Sequence, residues 1–355
     1  MRLTDLEVEG LRNLRAVRLV LEPGLQVVLG GNGQGKTSLL EAAYLLATGR
    51  SFRTRRLDEA IARGAARARV AGTVAGRSGQ SRLEVVLEPG RRYLFVDGAE
   101  QDLPGYLGRL AVVDCSSERM AIIHGGPEER RRFIDRGVAG LKPSYLRVLG
   151  EHRRVLQQRN ALLRGGERHG RTEQLDAWDE RLAGVASRLQ HGRSTYLEAL
   201  NAVLQRVVLE AFPDLGTLRV RYRPSPSELE ALRRARDSDL ELGFTASGPH
   251  RDDLAIDLEG HELRRFGSAG QARAAMVALK LGKLALLQQE RGEEALFLMD
   301  ELDSDLDEAR AASLARFIER AGFQTLVATS KDGLADGLGV AAPRIRMVEG
   351  RPQAA

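Results

Sequence analysis

Apolar and polar residues alternate along the first part of the chain, which is the pattern of half-buried strands. Between residues 2 and 29 this alternation predicts two or three strands, the last of which is the apolar run "LQVVL". A glycine-rich loop follows at once, and a helix is predicted from Thr37 to about Thr48. Further alternating segments are "ARARVAGTVAG", "SRLEVVLEP" and "RRYLFVDG", separated by Gly, Pro and Ser. This part of the chain therefore has mixed α/β character.

A helical period replaces the alternation between about residues 117 and 239. Two apolar stripes with helical spacing, over residues 145–163 and 175–203, flank the polar loop "RGGERHG". Two helices joined by a short polar loop predict an antiparallel helical hairpin, and ordinary helix packing is the alternative.

Strand patterns return in the last part of the chain. They include the apolar run "EALFLMD", the run "FQTLVATS" and the terminal segment "RIRMVEG", with helices predicted after Ser268 and from about Glu308. The sequence thus predicts an α/β body split by an inserted, mainly helical lobe. We assign residues 1–116 to the first part of the body, 117–240 to the inserted lobe and 241–355 to the second part.

Composition narrows the class of protein. The chain has 355 residues, of which 43% are apolar, and this is enough for a sizeable core. Its single cysteine, Cys115, is expected to be buried and fits a reducing compartment. No signal peptide and no run of about 18 apolar residues is present, so we expect a cytoplasmic protein without a membrane partner.

Charge points weakly to nucleic acid. The formal net charge is only +5, but arginine is locally dense in "SFRTRR", "EERRRFIDR" and "ALRRARDSD". Each run has two interpretations, a solvated helix face or a patch that contacts phosphates. Three such runs favour DNA as a partner.

The segment "GGNGQGKT" satisfies the phosphate-loop pattern G-x-x-x-x-G-K-T/S between a predicted strand and a predicted helix. Glycines allow the backbone N–H groups to surround phosphates, and a helix N-terminus adds favourable potential. Lys36 is predicted to reach the β- and γ-phosphates, and the Thr37 hydroxyl to bind Mg²⁺. The predicted nucleotide-binding residues of this segment are Gly30, Gly31, Asn32, Gly33, Gln34, Gly35, Lys36, Thr37 and Ser38.

The strand in "ALFLMDELDSDLDEAR" ends in two acidic residues, Asp300 and Glu301. An acid at the C-terminal edge of such a strand can complete the Mg²⁺ shell opposite Thr37, and a neighbouring glutamate can polarise the attacking water. Together with the phosphate loop, these residues predict hydrolysis of a nucleoside triphosphate.

A second anion site is predicted in "FGSAGQARAAM". Ser268 and Gly270 lie just before a helix and Gln271 lies at its start, so a hydroxyl and N–H groups are available there. An ordinary serine N-cap is the alternative for Ser268 alone.

The order of these segments resembles the ABC-type ATPase head of the SMC proteins and of the RecF family of bacterial recombination mediators. The further segments "LRNLR", "SFRT", "GGPEERRRFID", "SGPHRDDL" and "FGSAGQ" narrow the resemblance to the RecF family over the whole chain. The resemblance implies an ATP-dependent, head-to-tail homodimer in which Ser268, Gly270 and Gln271 act in trans on ATP held by the other subunit.

The resemblance also implies the remaining roles. Asp300 is the Mg²⁺ acid, Glu301 the catalytic base, and Arg12 and Asn13 approach the nucleotide. Weak, DNA-stimulated ATP hydrolysis is implied as a switch in DNA repair, replication and recombination and in the SOS response. The implied partners are single- and double-stranded DNA at gaps, together with RecO and RecR.

Two other classes of function remain open. An ABC transporter ATPase subunit, or another SMC-like ATPase, has the same motif order. A transporter subunit needs a membrane partner. The helical insertion and the arginine runs argue against this interpretation. A small-molecule kinase uses the same phosphate loop, but it needs no second anion site and works as a monomer.

Overall fold

The structure is a computed structural model. It describes residues 1–77, 79–115, 120–165, 171–292, 294–300, 307–332 and 342–353.

The strands form three sheets. They are β1 (Arg2–Leu3), β2 (Asp5–Leu11), β3 (Leu14–Val20), β4 (Leu25–Leu29), β5 (Ala68–Gly76), β6 (Gly79–Glu88), β7 (Arg91–Val96), β8 (Ala99–Glu100), β9 (Val112–Cys115), β10 (Leu218–Arg223), β11 (Asp253–Leu258), β12 (His261–Glu262), β13 (Leu296–Met299), β14 (Gln324–Thr329), β15 (Arg344–Val348) and β16 (Arg351–Gln353).

The helices lie between these strands, with two short 3-10 turns at Leu57–Ala60 and Pro249–Arg251. They are α1 (Lys36–Thr48), α2 (Leu103–Tyr106), α3 (Ala121–His124), α4 (Pro127–Leu141), α5 (Tyr145–Arg164), α6 (Arg171–Ala211), α7 (Leu229–Arg234), α8 (Arg236–Leu242), α9 (Leu263–Phe266), α10 (Ala269–Arg291) and α11 (Glu308–Ala321). None of these helices is both long and apolar enough to cross a membrane.

A six-stranded sheet carries the predicted site. Its strand order is β16-β15-β4-β14-β13-β9, and every neighbouring pair from β15 to β9 is parallel. Every residue of β4, β13 and β14 is buried. Parallel strands covered on both faces have continuous apolar runs, which explains "LQVVL" and "LFLM". The carboxyl ends of these strands meet at one edge, and the glycine-rich loop follows β4 at that edge.

Helix α1 lies between this sheet and a seven-stranded antiparallel sheet with the order β3-β2-β5-β6-β7-β8, in which β1 pairs with β5. One apolar cluster joins Leu6 of β2, Leu40 of α1 and Leu298 of β13. All residues of α1 except Thr37 and Thr48 are buried. The helix ends where Gly49 adopts φ 62° and donates its N–H to the Leu45 carbonyl at 2.7 Å. Truncating Leu40 to alanine would cost about 2–5 kcal/mol of stability.

The chain divides into two compact units. A nucleotide unit comprises Met1–Met120, Val203–Leu218 and Phe266–Ala355, and a helical unit comprises Ala121–Ala202 and Arg219–Arg265. The units are interleaved in sequence, as expected for a body with an insertion. The ranges 1–116, 117–240 and 241–355 stay a prediction for the domain limits.

Within the helical unit, α5 and the part of α6 up to Ala202 run antiparallel. Glu151 of α5 pairs with Arg188 of α6 at 2.8 Å, and Arg159 pairs with Asp179 at 2.7 Å. Residue numbers therefore rise along one helix as they fall along the other. The middle of the predicted connecting loop, residues 166–170, lies outside the described residues.

The range 117–240 also contains a strand where the sequence predicted helix. Strand β10 has the sequence "LRVRYR", and its Leu218 and Val220 are buried. Asn201 fastens the strand, since its side-chain amide donates to the Val220 carbonyl and accepts from the Val220 N–H. The alternation was visible in the sequence, but it covers only six residues after a long helical run.

Candidate nucleotide-binding site

The glycine-rich loop after β4 needs glycine for two physical reasons. Gly30 has φ 155° and Gly35 has φ 104°, and these values lie outside the range that other residues ordinarily adopt. Space is also missing, because a Cβ on Gly30 would lie 2.6 Å from the Met347 carbonyl oxygen. A Cβ on Gly35 would lie 3.0 Å from Leu14 Cδ2. The loop is therefore tightly curled against β15 and β3.

The N-terminus of α1 is open to an anion. Gly35 is its N-cap residue, and no side chain accepts a hydrogen bond from the first turn. The first backbone N–H groups of a helix have no partner within the helix, and together with the helix dipole they attract negative charge. Phosphate oxygens are the natural acceptors for such a group of donors.

Lys36 begins α1 and is 7% exposed. Its Nζ donates to the Gly30 carbonyl at 2.7 Å and to the Gly31 carbonyl at 2.9 Å. The ammonium group is thus held against the loop itself, where a phosphate held by the loop would also lie. A lysine acts there as a compact positive charge with three donors.

Thr37 and Asp300 meet although 263 residues separate them. Asp300 follows β13 and is buried, and its Oδ1 accepts a hydrogen bond from Thr37 Oγ1 at 3.2 Å. A hydroxyl and a carboxylate side by side supply the hard oxygen donors that Mg²⁺ prefers. The predicted metal residues therefore fit such an ion. Glu301 lies outside the described residues.

Asn13 ties the turn between β2 and β3 to the loop. Its Nδ2 donates to the Gly33 carbonyl at 2.8 Å, and its Oδ1 accepts from Ser38 Oγ at 2.7 Å. Gln34 points elsewhere, since its Oε1 accepts the backbone N–H of Glu349 at 2.5 Å. The side chain of Gln34 therefore fixes the loop to the terminal hairpin.

Glu41 is a residue that the sequence analysis missed. It is fully buried on α1, and Arg12 donates to its two carboxylate oxygens at 2.9 and 2.8 Å. Ser51 Oγ donates to it at 2.5 Å, and Arg53 Nη1 lies 3.3 Å from it. A carboxylate within the apolar helix "LLEAAYLLA" was the available signal. Glu41 therefore positions Arg12 and Arg53 beside the nucleotide loop.

These side chains surround one cavity of about 810 Å³. Its positive lining consists of Lys36, Arg12, Arg53 and Arg63, and Asp300 supplies the opposing negative charge. The other predicted residues that line it are Asn13, Asn32, Gly33, Gly35, Thr37 and Ser38. The concentration of positive charge suits a polyphosphate.

The second predicted anion site is built differently. Ser268 is the N-cap of α10, and its Oγ accepts the Gln271 N–H at 3.2 Å. Gln271 Oε1 accepts the Ser268 N–H at 2.9 Å, which completes a capping box. Ser268 and Gly270 are exposed, and neither they nor Gln271 line the cavity around Lys36. The structure therefore does not bring this segment to the loop of its own chain.

Arg310 supports the start of α10. Its Nη2 lies 2.6 Å from Asp214, and its Nη1 donates to the Gly270 carbonyl at 3.4 Å. The hydrogen bond and charge of Arg310 hold the pKa of Asp214 below its ordinary value. Asp307 also lies here, 3.8 Å from Arg310, and caps α11.

Four features together define a class of nucleotide-binding protein. They are the buried parallel strand β4, the curled glycine loop after it, the uncapped N-terminus of α1 with Lys36, and an acid at the end of β13, which lies two strands away from β4 in the sheet. The chain has the fold of a P-loop ATPase. A family model for an AAA domain matches residues 5–101. A solved structure of an Smc head bound to the C-terminal winged-helix domain of ScpA has a TM-score of 0.60 at 17% identity, which supports the ABC-type head fold alone.

Two solved structures are much more similar. The recombination mediator protein RecF with ATP, in the RecFOR pathway, is 28% identical with a TM-score of 0.87, and the alignment covers 99% of this chain and 97% of that one. The corresponding RecF–ATPrS structure is 27% identical with the same TM-score and coverage.

Curated sequences agree with the structures. The DNA replication and repair protein RecF of Myxococcus xanthus is 33% identical over 95% of this chain and 93% of its own length. That of Lactobacillus delbrueckii subsp. bulgaricus is 36% identical over 97% and 95%. The chain belongs to the RecF family.

Proposed function

We propose that this chain is an ATP-dependent DNA-binding protein of recombinational repair, in which ATP joins two copies head to tail. The observation that carries the proposal is the separation of two helix N-termini within the nucleotide unit. One of them, at Lys36, lies in a positively charged cavity, and the other, at Ser268, is exposed outside that cavity.

ATP is the proposed ligand of the cavity. Relatives of this family have been solved with ATP, and the lining of this cavity combines loop N–H groups with Lys36. We assign the β- and γ-phosphates to Lys36 and the loop, and we assign Mg²⁺ to Thr37 and Asp300. When bound, the ion neutralises phosphate charge. Arg12 and Asn13 border the cavity and are proposed to approach the nucleotide.

The exposed segment is proposed to complete the site of a second copy. Ser268, Gly270 and Gln271 lie at a helix N-terminus that does not line the cavity at the phosphate loop of the same chain. An exposed helix N-terminus can bind an anion brought by another molecule. Two copies related by a two-fold axis would then form two equal sites, since an isologous interface repeats each contact.

Slow ATP hydrolysis, stimulated by DNA, is the proposed reset of the dimer. Asp300 is held close to Thr37 at the loop, and Glu301, the next residue, is the proposed base that orients the attacking water. ABC ATPases commonly place a histidine after the last core strand, whereas this chain has Thr329 and Ser330 there. Weak turnover suits a switch better than a motor.

DNA at gaps, with single- and double-stranded portions, is the proposed macromolecular partner. The solved relatives are named as recombination mediators in the RecFOR pathway, and RecO and RecR are accordingly proposed partners of this chain. We also propose a cytoplasmic location and the domain ranges 1–116, 117–240 and 241–355.

Light scattering with and without ATP tests the proposal. ATP and Mg²⁺ should convert the monomer into a dimer, and Lys36→Ala should remain a monomer because its ammonium group no longer holds the phosphates. Lys142→Ala removes the same charge from an exposed position of the helical unit and should dimerise like the wild type. A wild-type chain that stays monomeric at saturating ATP would refute the proposal.

A further inference from the structure

The arginines of this chain fall into two groups when they are sorted by their partners. In two of the sequence runs of the helical unit, arginines pair with carboxylates, although other arginines of that unit, such as Arg153 and Arg154 of α5, are exposed. Arg130 pairs with Asp253 at 2.6 Å, and Arg236 pairs with Asp179 at 2.6 Å. Two of the three arginine runs seen in the sequence, "EERRRFIDR" and "ALRRARDSD", thus supply internal ion pairs. Their charge is largely neutralised within the protein.

The arginine segment (residues 50–67) of the nucleotide unit differs. It contains six arginines against two carboxylates, Asp58 and Glu59. Arg53 pairs with Glu41. The guanidinium groups of Arg50, Arg55, Arg56, Arg63 and Arg67 are exposed, and within the described residues none of the five forms a hydrogen bond or an ion pair.

The two carboxylates of the segment do not neutralise these arginines. Asp58 Oδ1 accepts the backbone N–H of Gly90 at 2.9 Å, and Glu59 Oε2 accepts Thr54 Oγ1 at 2.5 Å. An arginine that is buried or paired with a carboxylate attracts a distant anion less strongly. The five arginines are neither buried nor paired. The segment therefore has a net positive charge, carried by five guanidinium groups without an ion pair.

The arginine segment is held in a defined conformation along the end of β2. The N–H of Arg12 donates to the Ala60 carbonyl at 2.8 Å, and the N–H of Ala62 donates to the Gly10 carbonyl at 2.8 Å. The 3-10 turn Leu57–Ala60 spans only about 8 Å, so Arg56 and Arg63 flank a short, tethered element. The charges are therefore presented together and not on a loose tail.

We propose that the arginine segment binds the phosphate backbone of duplex DNA, independently of base sequence. This rests on the proposed DNA-binding function and names its surface. Guanidinium groups suit phosphates because they offer several donors in one plane. The only aromatic residue of the segment, Phe52, is buried, so no ring is available on which unpaired bases could stack. The chemistry therefore favours the backbone of a duplex over single-stranded bases.

The position of the segment connects DNA to the nucleotide. Arg63 and Arg53 line the cavity around Lys36, and Ser51 and Arg53 are fastened to Glu41 of α1. A duplex held by Arg55, Arg56 and Arg67 would lie beside the nucleotide cavity and would be coupled to the same helix through this link. We therefore expect DNA and nucleotide to influence each other's affinity through the arginine segment.

The test compares two triple variants that remove the same charge. R55Q/R56Q/R67Q removes unpaired arginines outside the cavity. R18Q/R188Q/R223Q removes exposed arginines that pair with Glu7, Glu151 and Glu262. Duplex DNA binding is measured by fluorescence anisotropy, with ATP and Mg²⁺, between about 50 and 200 mM salt in steps of roughly 50 mM. ATP binding by each variant serves as the check that the nucleotide unit is folded.

We expect the first variant to lose at least about tenfold in duplex affinity at low salt, while the control variant loses less than about threefold. The slope of log affinity against log salt should become shallower by about 0.9 for each phosphate that an arginine no longer neutralises. Equal affinities and slopes for the two variants would overturn the inference and leave the proposed function intact. The inference would also be overturned if R55Q/R56Q/R67Q lost affinity for single-stranded DNA but kept its affinity for duplex DNA. A wild-type chain that binds no DNA in any nucleotide state would overturn the proposed function as well.

Discussion

In the sequence, glycine or serine precedes two helices of the nucleotide unit, α1 and α10. The N-termini of these two helices nevertheless differ in structure. The N-cap residue of α1 is Gly35, which offers no side-chain cap, and Lys36 and the carboxylate of Asp300 lie beside this N-terminus. Helix α10 begins at Ser268, and the capping box with Gln271 satisfies two of its N–H groups. One N-terminus lies in a cavity and the other is exposed.

The difference shows that one sequence signal, glycine and serine before a helix, serves two purposes. An uncapped helix N-terminus has backbone N–H groups without a hydrogen-bond partner, so a bound phosphate stabilises it most. A capped N-terminus is already stable without a ligand. The capping box at α10 keeps that helix formed in the monomer. Its remaining donors and its dipole stay available to another molecule.

The largest effect is expected at α1. Lys36→Ala removes the charged donor beside the uncapped N-terminus and should weaken ATP binding by roughly 10- to 150-fold, or about 1.5–3 kcal/mol. Isothermal titration calorimetry measures this directly, with Lys142→Ala as the charge-matched control. An unchanged affinity would mean that the open N-terminus at α1 is not the ATP site.

The metal test comes next. Asp300→Asn retains the size of the side chain but removes the negative charge beside Thr37. In the wild type, chelation of Mg²⁺ by EDTA should weaken ATP binding by roughly tenfold, or about 1.4 kcal/mol. In the variant the same chelation should change the affinity much less. Equal sensitivity to EDTA in both proteins would remove Asp300 from the metal site.

At α10, two substitutions of Ser268 separate capping from anion binding. Ser268→Ala loses the cap and should lower the free energy of unfolding of the monomer by about 1 kcal/mol. Ser268→Asp keeps an N-cap and should leave that free energy nearly unchanged. Its charge, however, would repel a phosphate, so ATP-driven dimerisation should be lost. Urea unfolding and light scattering measure the two properties.

The result for Ser268→Asp decides between the two interpretations of α10. If this variant dimerises with ATP as the wild type does, the serine is only a cap and the comparison between the two N-termini fails. Ser81→Asp, at a half-buried position of β6 that caps no helix and does not line the cavity, adds the same charge and checks for a general charge effect.

The smallest effect concerns the support of α10 by Arg310. Because Arg310 lowers the pKa of Asp214 from its ordinary 3.8, the pair stabilises the fold above that value. The contribution is lost as the pH falls through the lowered pKa. Asp214→Asn should therefore cost less than about 1 kcal/mol at neutral pH, since the Asp214 side chain is 56% exposed. The difference from the wild type should vanish in acid, as measured by urea unfolding at several pH values.

Much of the nucleotide site could be predicted because its chemistry is local. The glycine loop, Lys36 and Thr37 are contiguous, and their spacing follows from how a backbone surrounds phosphates. The meeting of Thr37 with Asp300 was also predictable, since parallel strands end at one edge of the sheet. The roles of Lys36, Thr37, Asp300 and Glu301 stay predictions, and Glu301 itself lies outside the described residues.

Features that depend on distant partners were not predictable. Glu41 binds Arg12, Ser51 and Arg53, and no spacing rule links these four residues. Likewise, Arg130 finds Asp253 123 residues away, so in the sequence its run was indistinguishable from the arginine segment. Only tertiary structure separates arginines with partners from those without.

The burial of α1 between two sheets has a consequence for hydrogen exchange. A helix enclosed on all sides cannot unfold locally without opening the core, so its amide protons should exchange only through global unfolding. A ligand bound at its first turn is then thermodynamically linked to the whole nucleotide unit. At about 100 times its dissociation constant, such a ligand would add about 2.7 kcal/mol to the unfolding free energy. Nucleotide occupancy would thus be measurable as slower exchange in β6 and β7, whose residues do not line the cavity.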